Sequence, residues 1–199
     1  MKSISKLWRR LRRSTRELYG DCRGVAATEF AMIVPIMLVA FFGTVEFCSA
    51  VAVDRKVTIM ARTLSDLTSQ STWVNSTATD NFFKAATAVM TPYAANSPTP
   101  LNSRVSELYI DPNTLAARVQ WSVGQGQTAR SVGSAVSIPS ALAVGGTYLI
   151  YSEVNYQYVP TVGHVMAKAG IALSDVAYTR PRQSLCVLWN TSTGVCPSS

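Results

Sequence analysis

The chain has 199 residues, of which 48% are hydrophobic and 15% charged, with a formal net charge of +7, one His and four Cys. That length suits one ordinary domain plus a membrane segment, and a single His without a clustered Cys or paired acid argues against a metal centre. The charge is local: residues 1–24 carry eight Lys or Arg against Glu17 and Asp21, a net of +6, while the rest of the chain nets +1, which leaves no extended basic surface for nucleic acid.

Taken in chain order, the first element is a basic tail followed by an apolar run. Few aromatics interleave with its arginines, and two dozen residues give a recognition fold no room. From Phe30 to Val53 nearly every side chain is apolar. Lys and Arg packed just before such a run place the N-terminus in the cytoplasm by the positive-inside rule. The stretch between Glu29 and Glu46 has only 16 residues, short of the roughly 20 that a spanning helix needs. Continuing to Val53 supplies the length but draws an acid toward hydrocarbon, at a cost of about 2.5–3.5 kcal/mol at the bilayer centre and less near an interface. Glu46 is expected to reach for the nearer headgroups. Pro35, inside the run, removes one helical hydrogen bond and predicts a kink that membrane helices tolerate, and Gly43 permits close helix contact.

Three fates fit this segment. Ala50-Val51-Ala52 offers an A-x-A pattern to signal peptidase, although the basic region is long and helical periodicity continues through the cut. A lipoprotein cut before Cys48 is disfavoured by the approach sequence Val45-Glu46-Phe47. An uncleaved anchor is the second fate. The third is cleavage on the cytoplasmic side after Gly24.

For the third fate the residues form a pattern. Gly24, then Val-Ala-Ala-Thr, then Glu29-Phe30 resembles the G-x-x-x-x-E-[FY] site of type IV prepilins, particularly those of the tight-adherence (Tad, or Flp) pilus. The resemblance implies that an aspartyl prepilin peptidase cuts after Gly24, that Val25 becomes the new N-terminus, and that Glu29 is its fifth residue. A free Val25 amine would be cationic near neutral pH. Glu29 of one subunit could then face the Val25 amine of a neighbour, which lowers the cost of keeping both ionised in a low-dielectric place.

Beyond the run, Val57, Met60, Ala61, Leu64 and Leu67 fall on one helical stripe, with Arg55, Arg62 and Asp66 mostly off it. A single helix from about Val25 to about Ser69, roughly 65 Å long, is one reading; two helices joined near Asp54 is the other. A second helix is predicted to start at Thr79 or Asp80, to bury Phe82, Phe83, Ala86, Val89 and Met90, and to end at Pro92, followed by a Pro-rich connector. Strand signals follow at Val105–Ile110, a turn at Asp111-Pro-Asn-Thr, and a strand whose Leu115, Ala117, Val119 and Trp121 share an inward face. Gly124 to Gly146 reads as loop. Residues 147–159 form the longest strand candidate, with Tyr148, Ile150, Val154, Tyr156 and Tyr158 on one face, interrupted by Ser152. Core packing is the expected role of these tyrosines. A last strand is expected near Asp175–Thr179.

Helix, helix, then antiparallel strands indicates an α+β fold: a long N-terminal transmembrane pilin-like helix, a short helix and a small antiparallel sheet. The order VQWS, EVNYQYVP and a strand ending YTRPR is also similar to the extracytoplasmic part of TadE-type pseudopilins, sharpest at residues 23–47 and looser from 105 to 182. TadG-type relatives share the N-terminal segment but are usually much longer. The expected organisation is a basic cytoplasmic leader at 1–24, a transmembrane helix at 25–53 and a periplasmic domain at 54–199.

Cys22 would leave with the leader, and Cys48 reads as an apolar filler. Cys186 and Cys196 lie beyond the span in an oxidising compartment, so a bridge between them is expected, contributing about 2–3 kcal/mol if unstrained. The alternative is two free thiols. Cys186 and Cys196 do not have zinc spacing, His164 stands alone, and neither a Walker loop nor a dinucleotide fingerprint occurs. Sequons at Asn75 and Asn190 are common by chance. No enzyme activity, cofactor or metal is expected. The resemblance implies as partners the bacterial inner membrane, a prepilin peptidase, other Tad pilins and assembly-platform proteins, with no nucleic acid and no small-molecule substrate. The rival reading is an uncleaved single-span envelope protein with a periplasmic binding domain.

Overall fold

The computed structural model describes residues 23–93, 101–160 and 170–197. Cys22, His164 and nearly all of the basic leader lie outside them. Helix α1 runs unbroken from Arg23 to Ser69, through Pro35 and past Asp54, so the two-helix reading is set aside. The described residues divide between Val45 and Glu46 into two compact units. The first is the apolar N-terminal part of α1; the second holds everything after it.

In the second unit, α1 buries the stripe that its sequence announces. Val53, Val57, Met60, Ala61 and Leu64 are fully or almost fully buried, and Leu67 is partly so. Ser65, Thr68 and Ser69 are buried beside them, each with a partner for its hydroxyl. Thr68 Oγ1 donates to Leu64 O at 2.9 Å, Ser69 Oγ to Asp66 O at 2.8 Å, and Ser65 Oγ to Thr179 Oγ1 at 2.7 Å. Buried hydroxyls need such partners to offset desolvation.

Helix α2 spans Ser76–Val89, three or four residues earlier than expected. The cap is Asn75, whose Oδ1 accepts the Ala78 N–H at 2.8 Å. Thr79 is instead buried within the helix, its hydroxyl turned back on Asn75 O and Ser76 O. Phe83, Ala86 and Met90 form the buried face, and Phe82 and Val89 are only partly covered. Lys56 of α1 closes the other end, donating to Val89 O and Thr91 O at 2.9 Å each.

Five antiparallel strands form the main sheet in the order β4-β3-β2-β5-β6. They are β2 (Asn102–Ile110), β3 (Ala117–Gln125), β4 (Ala135–Val136), β5 (Tyr148–Tyr158) and β6 (Ile171–Thr179). Strands β2 and β6 begin three and four residues before their sequence signals. The stretch expected as loop after Gly124 contains β4 and a 3-10 turn at Ser140–Leu142. Asp111 makes the expected turn, its Oδ1 accepting the N–H groups of Asn113 and Thr114, and this holds its carboxyl below the usual range. Two short strands, β1 (Trp73–Val74) and β7 (Leu188–Trp189), pair in parallel and were not legible as strands.

Each face of the sheet carries a buried cluster. One cluster joins the α1 and α2 stripes to Val105, Ile150, Val154, Tyr156 and Tyr158. In it Ser152, the polar interruption of β5, donates to Ala61 O at 2.6 Å. The other cluster holds Leu108, Ile110, Ala117, Val119, Leu149 and Tyr151, with Val136 of β4. Here the expected face of β3 is corrected. Trp121 pairs with Glu107 but Val119 pairs with Leu108, so β3 carries one extra residue, Gln120. A bulge of this kind resets the two-residue alternation. Ala117 and Val119 therefore point to the second cluster, whereas Trp121 turns to the first. Leu115 is outside both, exposed in the preceding turn at φ 57°.

Candidate functional site: the apolar helix and the clasp of the second unit

Gly24, Val25, Glu29 and Phe30 all lie in the first turns of α1, and all four are exposed. Val25 and Glu29 are four residues apart, on one face of the helix and one turn from each other. A Cβ at Gly24 would meet nothing within 4 Å. Thr28 turns its hydroxyl back to Val25 O at 2.8 Å. The surrounding surface is apolar all round: Phe30, Met32, Ile36, Val39 and Phe41 are each at least 61% exposed. Length and composition suffice for a membrane crossing, and no residue of the apolar window is buried within the chain. A helix that is hydrophobic on every side needs lipid or neighbouring helices as its surroundings.

Glu46 behaves differently from Glu29. Its side chain is half-buried, and Oε2 accepts the Tyr158 hydroxyl at 3.0 Å. The acid expected to seek headgroups thus has a partner at the end of β5. Desolvation, then the Glu46 carboxylate, pushes the Tyr158 hydroxyl up to about 12. Sequence reasoning missed this pair because it joins residues 112 positions apart.

At the far end of the chain, Cys186 and Cys196 form the expected disulfide, with Cα atoms 5.8 Å apart. Cys48 is free and exposed on α1. The bridged segment is held by more than sulfur. Glu107, 1% exposed, accepts the Val187 N–H at 2.6 Å through Oε1 and the Trp121 Nε1–H at 3.0 Å through Oε2. Trp121 Nε1 also donates to Val187 O at 2.7 Å, and its ring stacks on Trp189 at 5.5 Å. Tyr148 donates its hydroxyl to Pro197 O at 2.7 Å. Burial raises the Glu107 carboxyl to about 8, against the opposing pull of its two N–H donors. This buried acid was absent from the sequence reading; Glu107 sits in an ordinary strand signal, and nothing local marks it.

On the opposite face of the sheet, Glu153 is shared by two arginines. Arg104 reaches Oε2 at 2.6 Å and Arg130 reaches Oε1 at 2.8 Å. Arg130 also lies over the Tyr151 ring, 5.6 Å from its centre, and Tyr151 stacks on Tyr178 at 4.8 Å. These contacts lower the Glu153 carboxyl in spite of the opposing effect of burial. Such a network orders the sheet surface and offers no displaceable ligand position. No group of three or more His, Cys, Asp or Glu positioned to hold a metal occurs among the described residues.

With this geometry in place, the comparisons identify the N-terminal segment. Residues 24–64 match the family described as TadE-like protein. No curated protein and no solved structure matches the chain. The matched stretch begins at Gly24 and covers the apolar run and most of the stripe that α1 buries in the second unit.

Proposed function

We propose that this chain, TadE-like over residues 24–64, is a pseudopilin that supports assembly of a Tad-type pilus and has no catalytic activity. It is made as a precursor, inserted with its N-terminus in the cytoplasm and its C-terminal domain in the periplasm, and cut after Gly24 by a prepilin peptidase. The observation that carries the reading is the coincidence of that family match with an α1 surface that is apolar on all sides and finds no cover among the described residues. Other pilin helices and the assembly platform in the inner membrane are its partners. The Cys186–Cys196 bridge fits a domain that works in an oxidising compartment.

Within this reading, Glu29 answers the ammonium that cleavage creates at Val25 of an adjacent subunit. The pair is ionised together or the acid is a burden in hydrocarbon. Mass spectrometry of the membrane-extracted protein tests the processing step. A mature chain beginning at Val25 is expected; one that keeps Met1 in cells that process their other pilins removes the cleavage step. One beginning at Val53 assigns the cut to signal peptidase.

A further inference from the structure

The main sheet ends very differently at its two edges. Strand β4 is two residues long, too short to recruit another strand. Strand β6 is nine residues long and pairs with β5 on one side. Among the described residues no strand covers its other side. Val176 shows which backbone groups face outward: its N–H donates to the side chain of the preceding residue, Asp175 Oδ1, at 2.8 Å. That N–H is therefore turned away from β5. In an antiparallel pair the direction alternates by residue, so the amides of Ser174 and Tyr178 face the same open side.

A groove of about 640 Å³ runs along this edge. Val176, Ala177, Tyr178 and Thr179 all line it. Consecutive strand residues point to opposite faces, so a groove lined by four in a row borders the strand's edge rather than either face. Its other wall is the flank of α1, with Arg62, Thr63, Asp66 and Leu67, and Arg182 also lines it. Arg182 is pinned there, its Nη2 2.6 Å from Asp66 Oδ1 and its N–H on Ser69 O. Arg62 and Arg180 are exposed. Arg62 and Arg182 line the groove with Asp66, and Arg180 follows directly on the lining residue Thr179, so three cations stand at this end of the strand against Asp66, with Asp175 on β6 as the second carboxylate.

We propose that the β6 edge and this groove form a docking site for an acidic extended segment of another polypeptide, which adds to the sheet as a sixth strand. The proposal is independent of the pseudopilin reading, because it uses only the second unit. Backbone hydrogen bonds to Ser174, Val176 and Tyr178 hold the segment, and Arg62 and Arg180 select for acidic side chains. Asp175 guards the empty edge: it occupies the Val176 N–H and adds a negative charge, a device that natural edge strands use against unwanted pairing. An incoming strand displaces it.

The test uses the full chain in detergent micelles and two synthetic peptides of alternating Glu and Val or alternating Lys and Val. Fluorescence anisotropy is expected to show binding of the Glu peptide, weakened by salt, and none of the Lys peptide. Amide exchange is expected to slow at Ser174, Val176 and Tyr178. Asp175→Ala should tighten binding several-fold. Val176→Pro should abolish it without disturbing the β5–β6 pairing, because the N–H it removes is the outward one. If that variant misfolds, Arg62→Glu with Arg180→Glu, both on the surface, should weaken binding of the Glu peptide at least tenfold. Equal binding of the two peptides, no binding of either, or insensitivity to these substitutions overturns the proposal. So does a peptide-free chain that dimerises with these three amides protected, which would make a second copy the occupant.

Discussion

Glu107 shows how much one side chain can contribute when its environment opposes its charge. An exposed Glu ionises near 4.3, whereas Glu107 stays protonated up to about 8. Between those values the folded state holds a proton that the unfolded state has released. Stability is therefore greatest below the unfolded value and declines as pH rises through about 8, by several kcal/mol. Denaturant titrations at pH 5 and pH 8 should show that loss, and Glu107→Gln should flatten it. Gln will also cost about 1–3 kcal/mol at pH 5, because its amide N–H₂ meets either the Val187 or the Trp121 donor. A variant with the unaltered pH slope would assign the titration to another group. Tyr158→Phe, which removes one partner from Glu46, should cost about 1 kcal/mol in the same measurement.

At the level of elements, the bulge in β3 and the cap of α2 decide which side chains meet. Gln120 is the extra residue that sends Trp121 to one face of the sheet and Val119 to the other. Deleting Gln120 would make Val119 and Trp121 consecutive, so strict alternation would still set them on opposite faces and keep Trp121 opposite Glu107. The expected result is that the near-UV circular dichroism of the stacked Trp121 and Trp189 persists, because Glu107 keeps both donors; loss of that signal would show that the register does not re-form around the deletion. Asn75→Ala removes the single side-chain cap of α2 and should cost about 1 kcal/mol, read as a lowered denaturation midpoint, while Thr79→Val would leave that cap in place. The strand content of 117–121 was legible from alternation; the bulge was not, because it arises from pairing with β2. Asn75 was passed over for a comparable reason. Thr79 and Asp80 stand closer to the apolar positions of the helix, and only the fold shows that the chain leaving β1 is already turning at Asn75.

For the whole molecule, the second unit is closed by a C-terminal segment that the Cys186–Cys196 bridge, Glu107, Trp121 and the β1–β7 pair all hold. Cys186→Ser with Cys196→Ser should lower stability by about 2–3 kcal/mol, measured as a shift in the denaturant midpoint of the purified protein, and reduction of the intact protein should reproduce it. On the pseudopilin reading, Glu29→Ala should leave membrane insertion intact and reduce assembly, scored by co-purification with other pilins; undiminished assembly would leave Glu29 without the role given to it here. By itself the sequence determined the apolar run, the stripe that continues it, the α+β order and the pattern at Gly24–Phe30, because each is written in neighbouring residues through the 3.6- and 2-residue periods. Tertiary structure alone decided the partners of Glu46 and Glu107, the face of Trp121 and the edge of β6 that no strand covers among the described residues. Those depend on residues dozens of positions apart and on which strand lies next to which, and no local period carries that information.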